Sequence, residues 1–228
     1  MSELRDRPTK DEVALLPLFE GLLLEQIVIL RSPAQLNDAY RAIAREGFVG
    51  FDTESRPTFT KGSIRDGPHV IQFALRRRGF IVQVGTKPPL GFLKAVIESQ
   101  TIVKVGFGLK SDRGPLHRNL GIKLGAAVEL TKPLRTLRYK QALGVKAAVA
   151  VVLGRRLHKP KSVTTSNWSS PVLQPKQILY AANDAYAALA VFLAIGSPYT
   201  SPAAPTPNPS IEGTASGLRP PAAPHVKR

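Results

Sequence analysis

Residues 49–55, VGFDTES, open on apolar side chains and close on two acids spaced two apart. In a β-strand alternate residues point to the same face, so Asp52 and Glu54 project together while Phe51 and Thr53 face the other way. Two carboxylates so close repel unless protons or a cation neutralise them. Alone, the pair reads first as a half-exposed strand end carrying two solvated acids. A divalent metal is the functional alternative.

Working outward, residues 26–31, QIVILR, read as a β-rich strand. Ser32 then caps a helix, with Pro33 at its first position and Gln35 three after the cap, running to Glu46 before Gly47. On the other side, 69–76 and 80–85 form a hairpin-like pair of strands around Arg77, Arg78 and Gly79. A helix is predicted over 91–99, a buried strand over 101–107, a helix over 111–121, a strand over 126–130 and a helix over 144–154. The last helix runs over 175–195, with Gly196 as its cap. Strands come first and helices alternate with strands afterwards, which predicts an α/β sandwich built on a mixed β-sheet flanked by helices.

The chain has 228 residues, 43% of them hydrophobic, enough for one well-buried core and short for two. Residues 1–25 read as an irregular extension with a short apolar helix, 26–196 as the single domain, and 197–228, rich in Pro, Ser, Ala and Thr, as a disordered tail. The first residues mix both charge signs and lack the apolar stretch of a signal peptide. Their apolar continuation is broken by Pro17, Glu20 and Glu25, so no membrane span is expected. There is no cysteine, which excludes disulfides and thiolate metal sites. The expectation is a soluble cytoplasmic protein.

Charge narrows the partner. The net charge is +16, and between residues 27 and 196 twenty-six Lys or Arg face nine Asp or Glu. Such a surplus costs self-repulsion and fits a polyanion, whereas ordinary solubility needs a charge magnitude of only ~2–8. Acids are therefore scarce, and four of the nine fall in three stretches: Asp52 and Glu54, Asp112 in KVGFGLKSD (104–112), and Asp184 in YAAND (180–184).

Asp112 sits at the predicted start of a helix just after a buried strand. Alone it serves the helix dipole, an effect of ~0.3–1 kcal/mol, yet the same position lies at the edge of the sheet, where ligands of α/β proteins bind. Tyr180 and Asp184 are four apart on the last helix and share a face with Ala181, Ala187 and Ala188, which leave room beside the acid. The opposite stripe, Leu179, Ala182, Tyr186, Leu189 and Leu193, is expected to bury against the sheet.

The order D-x-E, then D, then Y-x-x-x-D, each in its matching strand or helix, resembles the DEDD superfamily of 3′–5′ exonucleases, in the branch whose third motif carries Tyr. Ribonuclease D and the Werner-type exonuclease domains are the look-alikes. The likeness spans roughly residues 26–195 and extends to GPHVIQFAL (67–75) and to KSVTTSNWSSPVLQPKQILYAANDAYAAL (161–189). It implies a ribonuclease H-like fold and two Mg²⁺ or Mn²⁺ ions, with Asp52 bridging them, Glu54 and Asp184 completing the first site, Asp112 serving the second, and Tyr180 placing the attacking water. The implied function is hydrolysis of phosphodiester bonds at 3′ ends of DNA or RNA, releasing nucleoside 5′-monophosphates. A non-catalytic nucleic-acid-binding module on the same fold is the rival.

Arg155, Arg156, Lys159 and Lys161, with His158, crowd the segment before Trp168 and are candidates for gripping phosphates of the scissile strand. Arg76, Arg77 and Arg78 at the hairpin turn are the next candidates. Trp168 reads as a core anchor before a base-stacking platform.

Overall fold

In a computed structural model of the chain, residues 4–57 and 66–196 are described; the tail expected over 197–228 lies outside them. Six strands form one mixed sheet: β1 (Ile27–Ile29), β2 (Phe48–Glu54), β3 (Val70–Ala74), β4 (Gly79–Gln83), β5 (Val103–Gly106) and β6 (Ala127–Glu129), in the order β1-β4-β3-β2-β5-β6. The β2–β3 and β3–β4 pairs are antiparallel, while β1–β4, β2–β5 and β5–β6 are parallel. The strand carrying Asp52 and Glu54 is thus central, with neighbours on both sides.

Helices cover both faces, as a mixed sheet buried on both sides requires. On one lie α2 (Pro33–Glu46), α3 (Leu90–Ile97) and α4 (Leu109–Leu120); Phe51, Ile71, Phe73 and Val82 meet Ile43, Leu93, Ile97 and Leu116 in its core. On the other lie α5 (Val145–Leu153) and α7 (Pro175–Ala194), packed on Phe48, Val105 and, farther along, Val70 and Ile81. The local signals for α2 act as read: the Ser32 Oγ accepts from the Gln35 N–H, the Gln35 side chain reaches back to Ser32, and Gly47 closes the helix at φ 72°. Each such cap is worth ~0.5–2 kcal/mol.

Three local differences from the sequence expectation have physical causes. The first helix, α1 (Lys10–Ala14), is polar, because Thr9 and Glu12 form a capping box that starts it upstream of the apolar run. That run, with Pro17 and Gly21 breaking it, is largely irregular and ends in a single 3-10 turn at Leu24–Gln26. Asn183 of α7 accepts from the Leu22 N–H at 2.6 Å and donates to its carbonyl at 3.1 Å, tying the segment to the domain. Between α5 and α7 a four-residue helix, α6 (Lys161–Thr164), was not foreseen; runs this short leave no apolar period to read.

The third difference concerns α7. Its sheet-facing seam is made mostly of small residues: Ala181, Ala185 and Ala188 are buried with Asp184, and of the expected stripe Ala182 and Leu189 bury against the sheet as read, whereas Leu179, Tyr186 and Leu193 are only half-buried. The reason is close approach. A Cβ on Gly50 of β2 would lie 2.1 Å from the Ala185 carbonyl oxygen, so helix and strand meet backbone to backbone. By length and composition α7 is apolar enough to cross a bilayer, yet 61% of its most apolar eighteen residues are buried within the molecule.

Candidate active site

The seam between β2 and α7 brings the acids together. Asp52 and Glu54 rise from the end of β2, Asp184 descends from α7, and one carboxylate oxygen from each lies within 4.8 Å of the others. Asp112, in the first turn of α4, joins from the side: its Oδ1 accepts from the Thr53 hydroxyl at 2.7 Å. Thr53 therefore couples the face of β2 opposite Asp52 to α4, while its N–H donates to Asp52 Oδ1 at 2.9 Å. A cleft of about 440 Å³ opens beside them, lined among others by Asp52, Glu54, Arg56, Ser111, Asp112 and Thr164. That lies within the ~300–1,000 Å³ of sites that enclose a small organic group.

Burial, then the charges of Asp184, Glu54 and Asp112, raise Asp52 well above the ordinary carboxylate range. Burial and the Asp184 charge push Glu54 up to about 8. Asp184 is raised by burial against the pull of Lys159. Each shift has the same meaning: the acids are crowded in a poorly solvated place and hold less countercharge than charge.

One countercharge comes from the chain itself. Lys159 was expected as a surface grip on phosphates; it is turned inward, its Nζ 2.5 Å from Asp184 Oδ2 and 5.1 Å from the centre of the Tyr180 ring. Burial alone would lower its pKa, but Asp184 and Tyr180 raise it above the ordinary lysine value, so it stays charged. Tyr180 in turn shares a hydrogen bond with the Thr164 hydroxyl at 3.0 Å, and burial with the Asp184 charge pushes its phenol up to about 12. It is a hydrogen-bonding group here and not a base.

The remaining expected cations divide. Arg155 and Lys161 are exposed. Arg156 is half-buried, and its backbone pairs with the N-terminal segment, donating to the Pro17 carbonyl at 2.8 Å and accepting from the Phe19 N–H at 3.0 Å. Arg76 lies near Phe48 and Glu46, at the end of the sheet away from Glu54. Trp168 is 1% exposed and packs against Tyr180, the rings tilted by 47° with centres 5.8 Å apart, so it anchors the core beneath the site. Sequence reasoning missed Gln177, which donates to Ser166 Oγ and the Asn167 carbonyl and so fixes the loop before α7.

The donor set suits a hard divalent cation. It is all oxygen, three carboxylates converge within reach of one ion, and a single lysine offsets only part of their charge. Clustered carboxylates at the rim of the central strand of an α/β sandwich are an arrangement in which divalent cations could assist hydrolysis of a phosphodiester.

Comparison with known proteins agrees. Residues 27–197 match the family described as 3′–5′ exonuclease, and the chain belongs to that family. The bifunctional 3′–5′ exonuclease/ATP-dependent helicase WRN of Mus musculus is 35% identical over 153 residues, which cover 65% of this chain and 11% of the mouse protein. The EXO domain of Aedes aegypti Nibbler superposes with a TM-score of 0.65 at 22% identity, covering 76% of this chain and 88% of that one. RNase D of Trypanosoma brucei superposes with a TM-score of 0.67 at 18% identity, covering 77% and 66% respectively. At these identities the two structures speak for the fold.

Proposed function

We propose that this chain is a divalent-metal-dependent 3′–5′ exonuclease, acting on the terminal phosphodiester of DNA or RNA and releasing nucleoside 5′-monophosphates. The observation that carries the reading is the convergence of Asp52, Glu54 and Asp184 within 4.8 Å, in a chain whose family is 3′–5′ exonuclease. Asp52, Glu54 and Asp184 would hold one Mg²⁺ or Mn²⁺, and Asp52 with Asp112 a second. When bound, such ions supply Lewis acidity and a water of lowered pKa.

The chain's own groups do the rest. Tyr180, fixed by Thr164 and by its packing on Trp168, offers a hydroxyl beside Asp184 to orient the attacking water. Lys159 holds Asp184 and brings a positive charge next to the place where a phosphate would sit. The cleft takes the terminal nucleotide, with Arg56 and Ser111 along its wall. Exposed Arg155 and Lys161 are placed to meet phosphates further along the strand. The rival reading, a binding module without chemistry, gives no reason to keep the complete set of Asp52, Glu54, Asp112, Tyr180 and Asp184.

The test is a time course on end-labelled single strands, on duplexes with recessed or overhanging 3′ ends, and on RNA, in Mg²⁺, Mn²⁺ or EDTA. Stepwise shortening from the 3′ end in either metal and none in EDTA is expected. Undiminished activity in EDTA would overturn the metal assignment.

A further inference from the structure

Gln72 is fully buried in β3, and neither its Nε2 nor its Oε1 has a hydrogen-bond partner. A buried amide without partners is a cost that an apolar side chain of the same shape avoids. Its place in the sheet gives a reason to keep it. In the antiparallel β2–β3 pair, Gln72 stands directly opposite Asp52. Directly opposed residues present their side chains to the same face, with Cβ atoms ~4.5–5.5 Å apart. Asp52 points toward α7 and Asp184, so Gln72 does too.

Around it that face is apolar. Ile81 opposes it on β4, and Val70 and Ala74 are its same-face neighbours along β3. Alanines of α7 close the face above. Among the residues that oppose it or share its face along the strand, Asp52 alone carries a polar side chain. The Asp52 Oδ1 already accepts from the Thr53 N–H, which leaves the second oxygen for another donor.

We propose that Gln72 is a positioning residue for the metal site: its side-chain amide, directly opposite Asp52 and otherwise unpartnered, would donate to the Asp52 carboxylate once that group takes up divalent cations, and so fix the orientation in which it meets them. Partners of this kind, bonded to a ligand and not to the ion, set ligand geometry, and their loss typically weakens metal binding or activity by ~10–100-fold. The role rests on the metal-site reading above. It also explains why the orphaned amide sits beside the most crowded carboxylate of the domain, since an unpartnered polar group tolerated at a functional site is stability given up for geometry.

The experiment compares wild type with Gln72→Met, which conserves shape without the amide, and with Gln72→Leu as a second apolar filler should the first fail to fold. Mn²⁺ affinity is read by electron paramagnetic resonance, the thermal midpoint is measured in EDTA, and kcat and KM are taken on an oligonucleotide in Mn²⁺. The expected result is a midpoint in EDTA equal to or above wild type, Mn²⁺ affinity weaker by ~10-fold or more, and kcat reduced with KM little changed. Equal Mn²⁺ affinity in wild type and variant overturns the positioning role. A fall in affinity matched by a fall in midpoint makes Gln72 a packing element and overturns it as well. Wild type that binds no Mn²⁺ overturns the metal site itself, and with it the role of Gln72.

Discussion

Outside the site, several acids of the domain are taken up by neighbours. Glu129 accepts the Leu109 N–H at 2.8 Å and caps α4, Glu98 accepts the Lys123 N–H at 2.9 Å, and Asp66 pairs with Arg56 at 2.6 Å. The cluster around Asp52 differs, because its members raise one another's pKa. Removing a charge there has two opposite effects. Asp52→Asn is expected to raise the thermal midpoint in EDTA, since repulsion is relieved, and to lower kcat by about three orders of magnitude, since a metal ligand worth several kcal/mol in the transition state is lost. Melting curves and single-turnover rates check this; near-normal turnover in the folded variant removes Asp52 from the site. Tyr180→Phe keeps the ring against Trp168 and loses the hydroxyl's bonds to Thr164 and Asp184, so stability should change by about 0.5–1.5 kcal/mol. Its kcat should fall with KM steady, and the reverse split would reassign the hydroxyl to substrate binding.

At the scale of elements, the seam of α7 on β2 sets the distance between Asp184 and Asp52. Gly50→Ala puts a methyl 2.1 Å from the Ala185 carbonyl oxygen, a backbone atom that cannot swing aside. The helix must shift, at a cost of about 1–3 kcal/mol, and kcat should fall although no ligand is altered. A variant with unchanged melting and unchanged kcat would show that the seam is looser than drawn. The same seam explains what the sequence hid. The D-x-E spacing on a strand and the Y-x-x-x-D spacing on a helix follow from fixed periods, so those pairings were legible in residues 52–54 and 180–184. Which face of α7 meets the sheet was legible only in part: Ala182 and Leu189 bury against it as read, but the helix is apolar on both sides, and the large Leu179, Tyr186 and Leu193 stay half-buried where closeness demands alanine. Lys159 was hidden for another reason: it lies on the connection between α5 and α6 amid four other basic or His residues, and no period there says which one turns inward.

For the whole molecule, the unpaired charge of the site becomes a dependence of stability on pH. Glu54 has a folded pKa of about 8 against an ordinary 4.5, and Asp52 is raised in the same sense. A pKa raised on folding means that the native state holds a proton the unfolded chain has released, so stability is present at low pH and is lost as pH rises toward 8. Two groups outside the site bound the useful window. Burial lowers His69 below 6.5, which makes stability rise with pH until the unfolded imidazole is neutral, and burial lowers Lys104 to about 8, which makes stability rise again above that value. Between pH 6.5 and 8 the carboxylates dominate. The thermal midpoint in EDTA should therefore fall across this window, and the gain on adding Mn²⁺ should grow across it, because the cation replaces the protons the acids would otherwise retain. In Asp52→Asn the fall should be shallower. A midpoint in EDTA that is flat over the window in wild type would mean that the acids are already neutralised without metal, and the cluster would lose its claim to need one.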